Sequence, residues 1–210
     1  WYLRSINRAL RPEAGSYLGI VEHNQGTFNH SFHDRQQLLN NGYRSAWVRV
    51  ENTHSKSEIG NNRVHNKMDR TLLHFGADVY QNNAFHLGLM GGYSKADIDS
   101  IARYTGFKAN SKSDGYSVGA YASWFDQDKD DGGFYADGYL QYNWFDNKVN
   151  GSTLAQEKFD SYGMTASVEG GYAFAVGGNG VLDWTLEHQF QVVYNHYRSS
   201  DHIERSGTRV

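Results

Sequence analysis

The chain has 210 residues, a formal net charge of −3, 23 glycines, one proline and no cysteine, with a mean hydropathy of −0.71. No stretch approaches the roughly 18 consecutive apolar residues of a membrane-spanning helix, and the mildly acidic balance argues against a nucleic-acid partner. A membrane β-barrel stays open, because its strands are apolar only at alternate positions, and the absence of cysteine suits passage through an oxidising compartment.

Residues 1 to 43 show no alternation. Trp1 is not a natural start and no signal peptide follows it, so the chain is expected to be a fragment or a processed product. Arg11-Pro12-Glu13-Ala14 reads as a helix start, with proline where its missing N–H is harmless and Glu13 near the positive end of the dipole. The helix is expected to reach about Asn24, with Gly26 weakening it. A mixed helix leading into a barrel fits a wet pore; a surface helix in the periplasm is the alternative.

From Arg44 onward the pattern has period two. Ala46, Val48 and Val50 oppose Ser45, Trp47, Arg49 and Glu51. Leu73, Phe75, Ala77 and Val79 oppose His74, Gly76 and Asp78; Phe85, Leu87, Leu89 and Tyr93 oppose His86, Gly88 and Ser94. Tyr116 to Trp124, Phe134 to Trp144, Tyr162 to Phe174 and Leu182 to Tyr194 repeat the pattern, which makes seven expected strands. Connections alternate between long (52–69, 95–114, 147–160) and short (81–83, 126–133, 177–180), as in outer-membrane barrels with tight periplasmic turns. Aromatic residues gather at the strand ends. Phe85, Trp124, Phe134, Phe174 and Trp184 stand beside the short turns, and Tyr93, Tyr116, Trp144, Tyr162 and Tyr194 beside the long loops, forming two expected girdles at headgroup level. His188 is the misfit, a histidine on the expected lipid face.

A set of motifs runs along the chain: Arg11-Pro12-Glu13 with Gly15-Ser16-Tyr17-Leu18, His33-Asp34-Arg35, and Ser45-Ala46-Trp47-Val48-Arg49. Further on come His86-Leu87-Gly88-Leu89-Met90-Gly91-Gly92-Tyr93, Asp114-Gly115-Tyr116, Gly133-Phe134-Tyr135-Ala136-Asp137, Ser161-Tyr162-Gly163 and Trp184-Thr185-Leu186-Glu187. Together these motifs resemble the autotransporter β-domain of the pertactin-like and self-associating adhesin groups. The resemblance implies an all-β fold: a transmembrane, antiparallel, up-and-down barrel, twelve-stranded in the family, with an N-terminal helix threading its lumen. It also implies an outer-membrane location in a Gram-negative bacterium, and outer-membrane lipid, an N-terminal passenger and the barrel-assembly machinery as partners. Residues 1–10 would end the passenger, 11–43 form a linker with the pore helix, and 44–210 form a partial translocator barrel. Seven strands do not close such a barrel, so the chain is expected to lack its last strands and to be unable to insert alone.

The expected lumen-facing set, candidates for contacts to the plug, is Arg49, Glu51, Asp78, Asp137, Glu169 and Glu187, with Arg49 and Glu169 favoured as plug contacts. No catalytic group, metal or cofactor is expected. His30, His33 and Asp34 lack a third well-placed ligand. Asp126, Asp128, Asp130 and Asp131 before Gly132 miss the calcium-loop spacing. Competing readings are an outer-membrane protease or lipid hydrolase using His54, His65 or His202, a stand-alone porin-like barrel, and a soluble binding sandwich. Asn40-Asn41 gives no convincing cleavage signal for a passenger.

Overall fold

The computed structural model describes residues 11–35, 37–40, 45–60, 63–126, 132–152, 155–178 and 183–200. Expectations about Trp1, Asn41, Asp128, Asp130, Asp131, Leu182, His202 and the last ten residues lie outside that set.

Among the described residues one helix, α1 (Pro12–Gly26), precedes a single antiparallel sheet. Its strands are β1 (Gln37–Asn40), β2 (Ser45–Ile59), β3 (Val64–Gln81), β4 (Phe85–Ala102), β5 (Lys108–Phe125), β6 (Gly132–Gly151), β7 (Glu157–Gly178) and β8 (Asp183–Ser199). They are hydrogen-bonded in sequence order, with β1 and β8 at the two edges. No described helix is long and apolar enough to cross a membrane.

Two expectations need correction. The described sheet has eight strands rather than seven, because a four-residue strand precedes the first expected one. The long outer loops are also mostly strand. β2 and β3 pair from Ala46↔Ala77 up to Ile59↔Val64, and β4 and β5 from Phe85↔Trp124 up to Ile101↔Lys108. Tight turns close them at Gly60 and Gly106, whose φ values of 65° and 69° suit glycine.

The loop reading failed because the sheet changes character midway. Along β4 the even-numbered side chains face inward throughout, from Met90 through Ser94 to Ala102. Below Tyr93 the outward residues are apolar, Leu87 and Leu89; above it they are Lys95, Asp97 and Asp99 while Ala96 and Ile98 face in. Apolarity therefore switches faces at Tyr93 without any change in pleat. The same switch occurs at Tyr116, Trp144 and Tyr162, which with Tyr93 form one cross-strand row (Tyr93↔Tyr116, Tyr116↔Trp144, Trp144↔Tyr162). Tyr116 and Trp144 stack with ring centroids 5.8 Å apart. Toward the short turns, Phe85 pairs with Trp124, and Phe134 lies 6.2 Å from the Trp124 ring. Eight to ten residues separate the two aromatic levels along β4–β6, about 26–34 Å of strand, or roughly 20–26 Å after the usual tilt of about 40°.

α1 lies on the inner face beyond the Tyr93 row. Arg11, extended at φ −69°, ψ 142°, precedes the proline that opens the first turn. Ile20 packs with Ile98, Val149 and Phe159, and Tyr17 closes over them. Gly15 and Gly19 let the helix approach: a Cβ at Gly19 would stand 3.1 Å from Ile98 Cγ2. Asn66 Nδ2 donates to the Gly15 carbonyl at 2.8 Å. Nearer the row, Asn24 Nδ2 donates to Asn147 and Ser161, and Ser113 donates to Asn24 Oδ1. Beyond Gly26 the chain leaves the helix and runs irregularly down the inner face as far as Arg35.

Candidate functional site

Residues 28–35 are held by side chains projecting inward from across the sheet. The Phe28 carbonyl accepts from Gln141 Nε2 at 3.1 Å, Asn29 O from Arg49 Nη1 at 3.0 Å, and His30 O from Gln191 Nε2 at 2.7 Å. Phe32 N donates to Glu169 Oε2 at 2.9 Å. These partners come from β6, β2, β8 and β7 in turn, so the sheet curls until both flanks reach one short stretch of chain. An irregular segment cannot satisfy its own peptide groups, and buried peptide groups need partners. The sheet supplies them through side chains.

The side chains of the segment are held too. Arg35 forms a buried ion pair with Asp137, whose Oδ1 also accepts from Ser123 at 2.7 Å. The guanidinium lies 4.3 Å from the Tyr121 ring centroid, a cation–π distance. His33 Nε2 meets Glu187 at 2.6 Å. His30 stacks on Tyr139 at 4.1 Å and sits edge-on to His74 at 4.9 Å. Phe28 packs with Leu72 and Phe145, pressed against Gly92, where a Cβ would stand 2.7 Å from its ring.

Asp78 accepts from Tyr121 Oη at 2.5 Å, with Ser45 and His86 as further partners, and Trp47 Nε1 donates to the same tyrosine oxygen at 3.2 Å. Arg49 and Arg70 both pair with Glu51, whose Oε1 also accepts from Thr53. Of the six inward candidates, Arg49, Asp137, Glu169 and Glu187 therefore touch the segment, while Asp78 and Glu51 brace the wall beside it.

Residues with equal standing were not singled out from sequence. Arg35 was visible within His33-Asp34-Arg35, but nothing in its spacing revealed a buried partner on β6. Gln141 and Gln191 stood on the polar face of their strands, yet a backbone carbonyl as target leaves no mark in sequence. Tyr121, Tyr135 and Tyr139 interrupt that polar face with aromatic rings, a signal that the inner face packs against something.

The aromatic candidates fall at distinct heights. Tyr93, Tyr116, Trp144 and Tyr162 share the upper row, whereas Tyr194 pairs with Ala166, four residues below Arg198, the partner of Tyr162. That places Tyr194 at the level of Leu140 and Leu89, within the apolar band. Phe174 pairs with Leu186, and Trp184 with Gly177, near the short turns. His188 pairs with Tyr172, next along its row to Phe134, and its ring lies 5.8 Å from Phe174. The histidine thus belongs to the lower aromatic level, where amphipathic rings are at home.

His54 pairs with Asp69 at 2.6 Å and His65 with Glu58 at 3.2 Å, both as exposed pairs on the outer face. His30 and His33 take different neighbours, Tyr139 and Glu187.

The family model for the autotransporter β-domain matches residues 46–210. The chain is 35% identical to the protein YdeU of Escherichia coli K12 over 95% of its own length and 47% of that protein's. It is 30% identical to the autotransporter adhesin AIDA-I of Escherichia coli over 100% of its own length and 18% of the adhesin's. It thus spans less than half the length of these curated relatives. Its structure is similar to the crystal structure of the transport unit of AIDA-I, with a TM-score of 0.85 and 29% identity, covering 95% of this chain and 67% of that one.

Proposed function

This chain belongs to the autotransporter β-domain family, and from that premise we propose that it anchors a longer protein in the Gram-negative outer membrane and helps carry an N-terminal passenger to the cell surface. The position of α1 ahead of the sheet supports one assignment of parts. Residues 1–10 are the end of the passenger, 11–43 the linker within the pore, and 44–210 wall of the translocator barrel. The band between the two aromatic levels faces lipid, the short turns face the periplasm, and the extended strand ends beyond the Tyr93 row stand outside the cell. The periplasmic turns face the barrel-assembly machinery during insertion.

One observation carries this reading: the outside of the sheet is apolar between aromatic levels while its inside binds the backbone of an irregular segment. A soluble sandwich has the reverse polarity. A segment held by its peptide groups is the resting plug of a pore that has already passed chain outward, and Arg49 and Glu169 are plug contacts in that sense. A hydrolase needs a clustered catalytic group; His54 and His65 instead each meet a separate carboxylate on the outer face, Asp69 and Glu58.

The test is surface shaving of intact cells that express the full-length protein. External protease is expected to digest the segment upstream of Trp1 while strands β2–β8 survive in the outer-membrane fraction. Protection of the upstream segment in intact cells, with the protein in the outer membrane, would contradict the reading.

A further inference from the structure

Two aromatic side chains stand exposed where no hydrocarbon reaches them. Tyr104 and Phe107, at the turn between β4 and β5, are 61% and 50% exposed. The Phe107 carbonyl accepts from Ala102 N at 2.9 Å, and Ala102 is nine residues above Tyr93 on β4. That is about 30 Å of strand and about 23 Å along the membrane normal at the usual tilt. The turn is braced: Gly106 N donates to Ala102 O and Arg103 N to Arg63 O, both at 2.8 Å. By the alternation of the strand, Phe107 shares the inner side of the sheet with Ala102 and Ala109, which are both buried.

α1 leads toward this braced turn. Ile20 packs on Ile98, and Ser16 Oγ donates to Ser100 Oγ at 3.1 Å. Four helix residues thus climb as far as two strand residues, about 6–7 Å. One turn further, Pro12 comes level with Ala102 and Phe107. The first turn is flanked on both sides there, with Gly15 against Val64, the pair of Ala102, and Glu13 against Gly151, the pair of Ala109. Arg11 is extended, so the helix aims the chain before it at the inner side of the β4–β5 turn. That stretch carries Leu3, Ile6 and Leu10. We propose that Tyr104 and Phe107 form a docking shelf for residues 1–10, with Leu10 against the Phe107 ring. The proposal rests on the reading that this end of the sheet stands outside the cell. The shelf holds the end of the exported segment at the mouth of the pore by apolar contact.

Trypsin added to intact cells that express the full-length protein tests this. It cuts after Arg8 but not after Arg11, which precedes proline, so the product is a barrel fragment beginning at Ala9. Tyr104→Ser/Phe107→Ser is expected to be cut at Arg8 about tenfold faster than the parent, the effect of uncovering one large apolar side chain. Both altered side chains are exposed, so the sheet is undisturbed. In a second arm, Ala9→Cys/Thr105→Cys keeps Leu10, Tyr104 and Phe107 and is expected to be joined within one chain by a short bismaleimide. Ala9→Cys/Glu58→Cys, with its second thiol on the outer face, is not joined. Equal cutting of parent and serine variant, or equal joining of the two cysteine pairs, overturns the docking and leaves the surface location standing. Two chains joined through Thr105→Cys alone would assign the shelf to a second copy and overturn it as well. Cutting at Arg8 only after the outer membrane is opened, in parent and variant alike, would instead overturn the translocator reading, and the shelf with it.

Discussion

Replacing Arg35 with methionine should release the segment from the inner wall. The Arg35 and Asp137 side chains are 4% and 2% exposed, so the change leaves a carboxylate in a nearly dry site with the Ser123 hydroxyl as partner. Removing one member of such a pair costs about 3–5 kcal/mol, most of it the unpaired charge left behind. The contact with Tyr121 is lost as well. At about 1.4 kcal/mol per decade the held state falls by roughly 150- to 4,000-fold relative to the released one. Single-channel recording of the full-length protein in planar bilayers reads this as more frequent and longer openings. Adding Asp137→Asn removes the stranded charge and is expected to recover most of the closed fraction. An Arg35→Met channel as closed as the parent would refute the reasoning. So would a double variant as open as the single one, because the cost would then not be the unpaired carboxylate.

Other perturbations probe separate contacts. Gln141→Ala leaves the buried Phe28 carbonyl without its side-chain donor and is expected to cost about 1–3 kcal/mol, seen as faster hydrogen exchange across residues 27–32 with strand exchange unchanged. Gly92→Ala places a methyl group against the Phe28 ring; overpacking of about 1–3 kcal/mol should lower the temperature at which the folded band on a gel converts to the unfolded one, and Phe28→Leu should restore it. Burial, with a smaller contribution from Arg70, lowers the His23 pKa from 6.5 to about 3. Between those values the unfolded state binds the extra proton, so helix docking is fully stable above about pH 6.5 and weakens as pH falls toward 3. Amide protection around Ile20–His23, corrected for intrinsic exchange, should follow that course, and His23→Phe should flatten it.

The band between the aromatic levels was legible because lipid demands a simple pattern: apolar outside, polar inside, at period two. Leu87, Leu89, Val118, Leu140 and Tyr142 all obey it. Above the Tyr93 row α1 packs on the inner face and Lys95, Asp97 and Asp99 lie on the outer one, so Ile98, Val149 and Phe159 carry the apolar positions on the opposite face. A search for one phase of hydrophobicity reads that inversion as the end of the strand, which is why 95–114 and 147–160 looked like loops. β1 was too short for any period to register. The start of α1 was visible in its proline and Glu13, but its buried stripe of Ser16, Ile20, His23 and Asn24 mixes polar and apolar groups, and hydrophobic periodicity cannot tell it from a surface helix. The inner carboxylates were found as members of a polar face. Their partners were not, because an irregular segment brings its peptide groups to positions set by the course of the chain rather than by any repeat.

The measurement closest to the central claim uses the natural lack of cysteine to place single spin labels along β5, from Lys108 to Trp124, in the protein reconstituted in lipid. Collision with oxygen and with a water-soluble nickel complex is then read at each position. The account predicts that labels at Val118, Ala120 and Ala122 meet oxygen and exclude nickel, that labels at Asn110 and Lys112 do the reverse, and that labels at Ser113 and Ser117 meet little of either because the inner face is filled. Nickel reaching Val118 and Ala120 as freely as Lys112 would contradict it, since β5 would then have water on its outer face along its whole length.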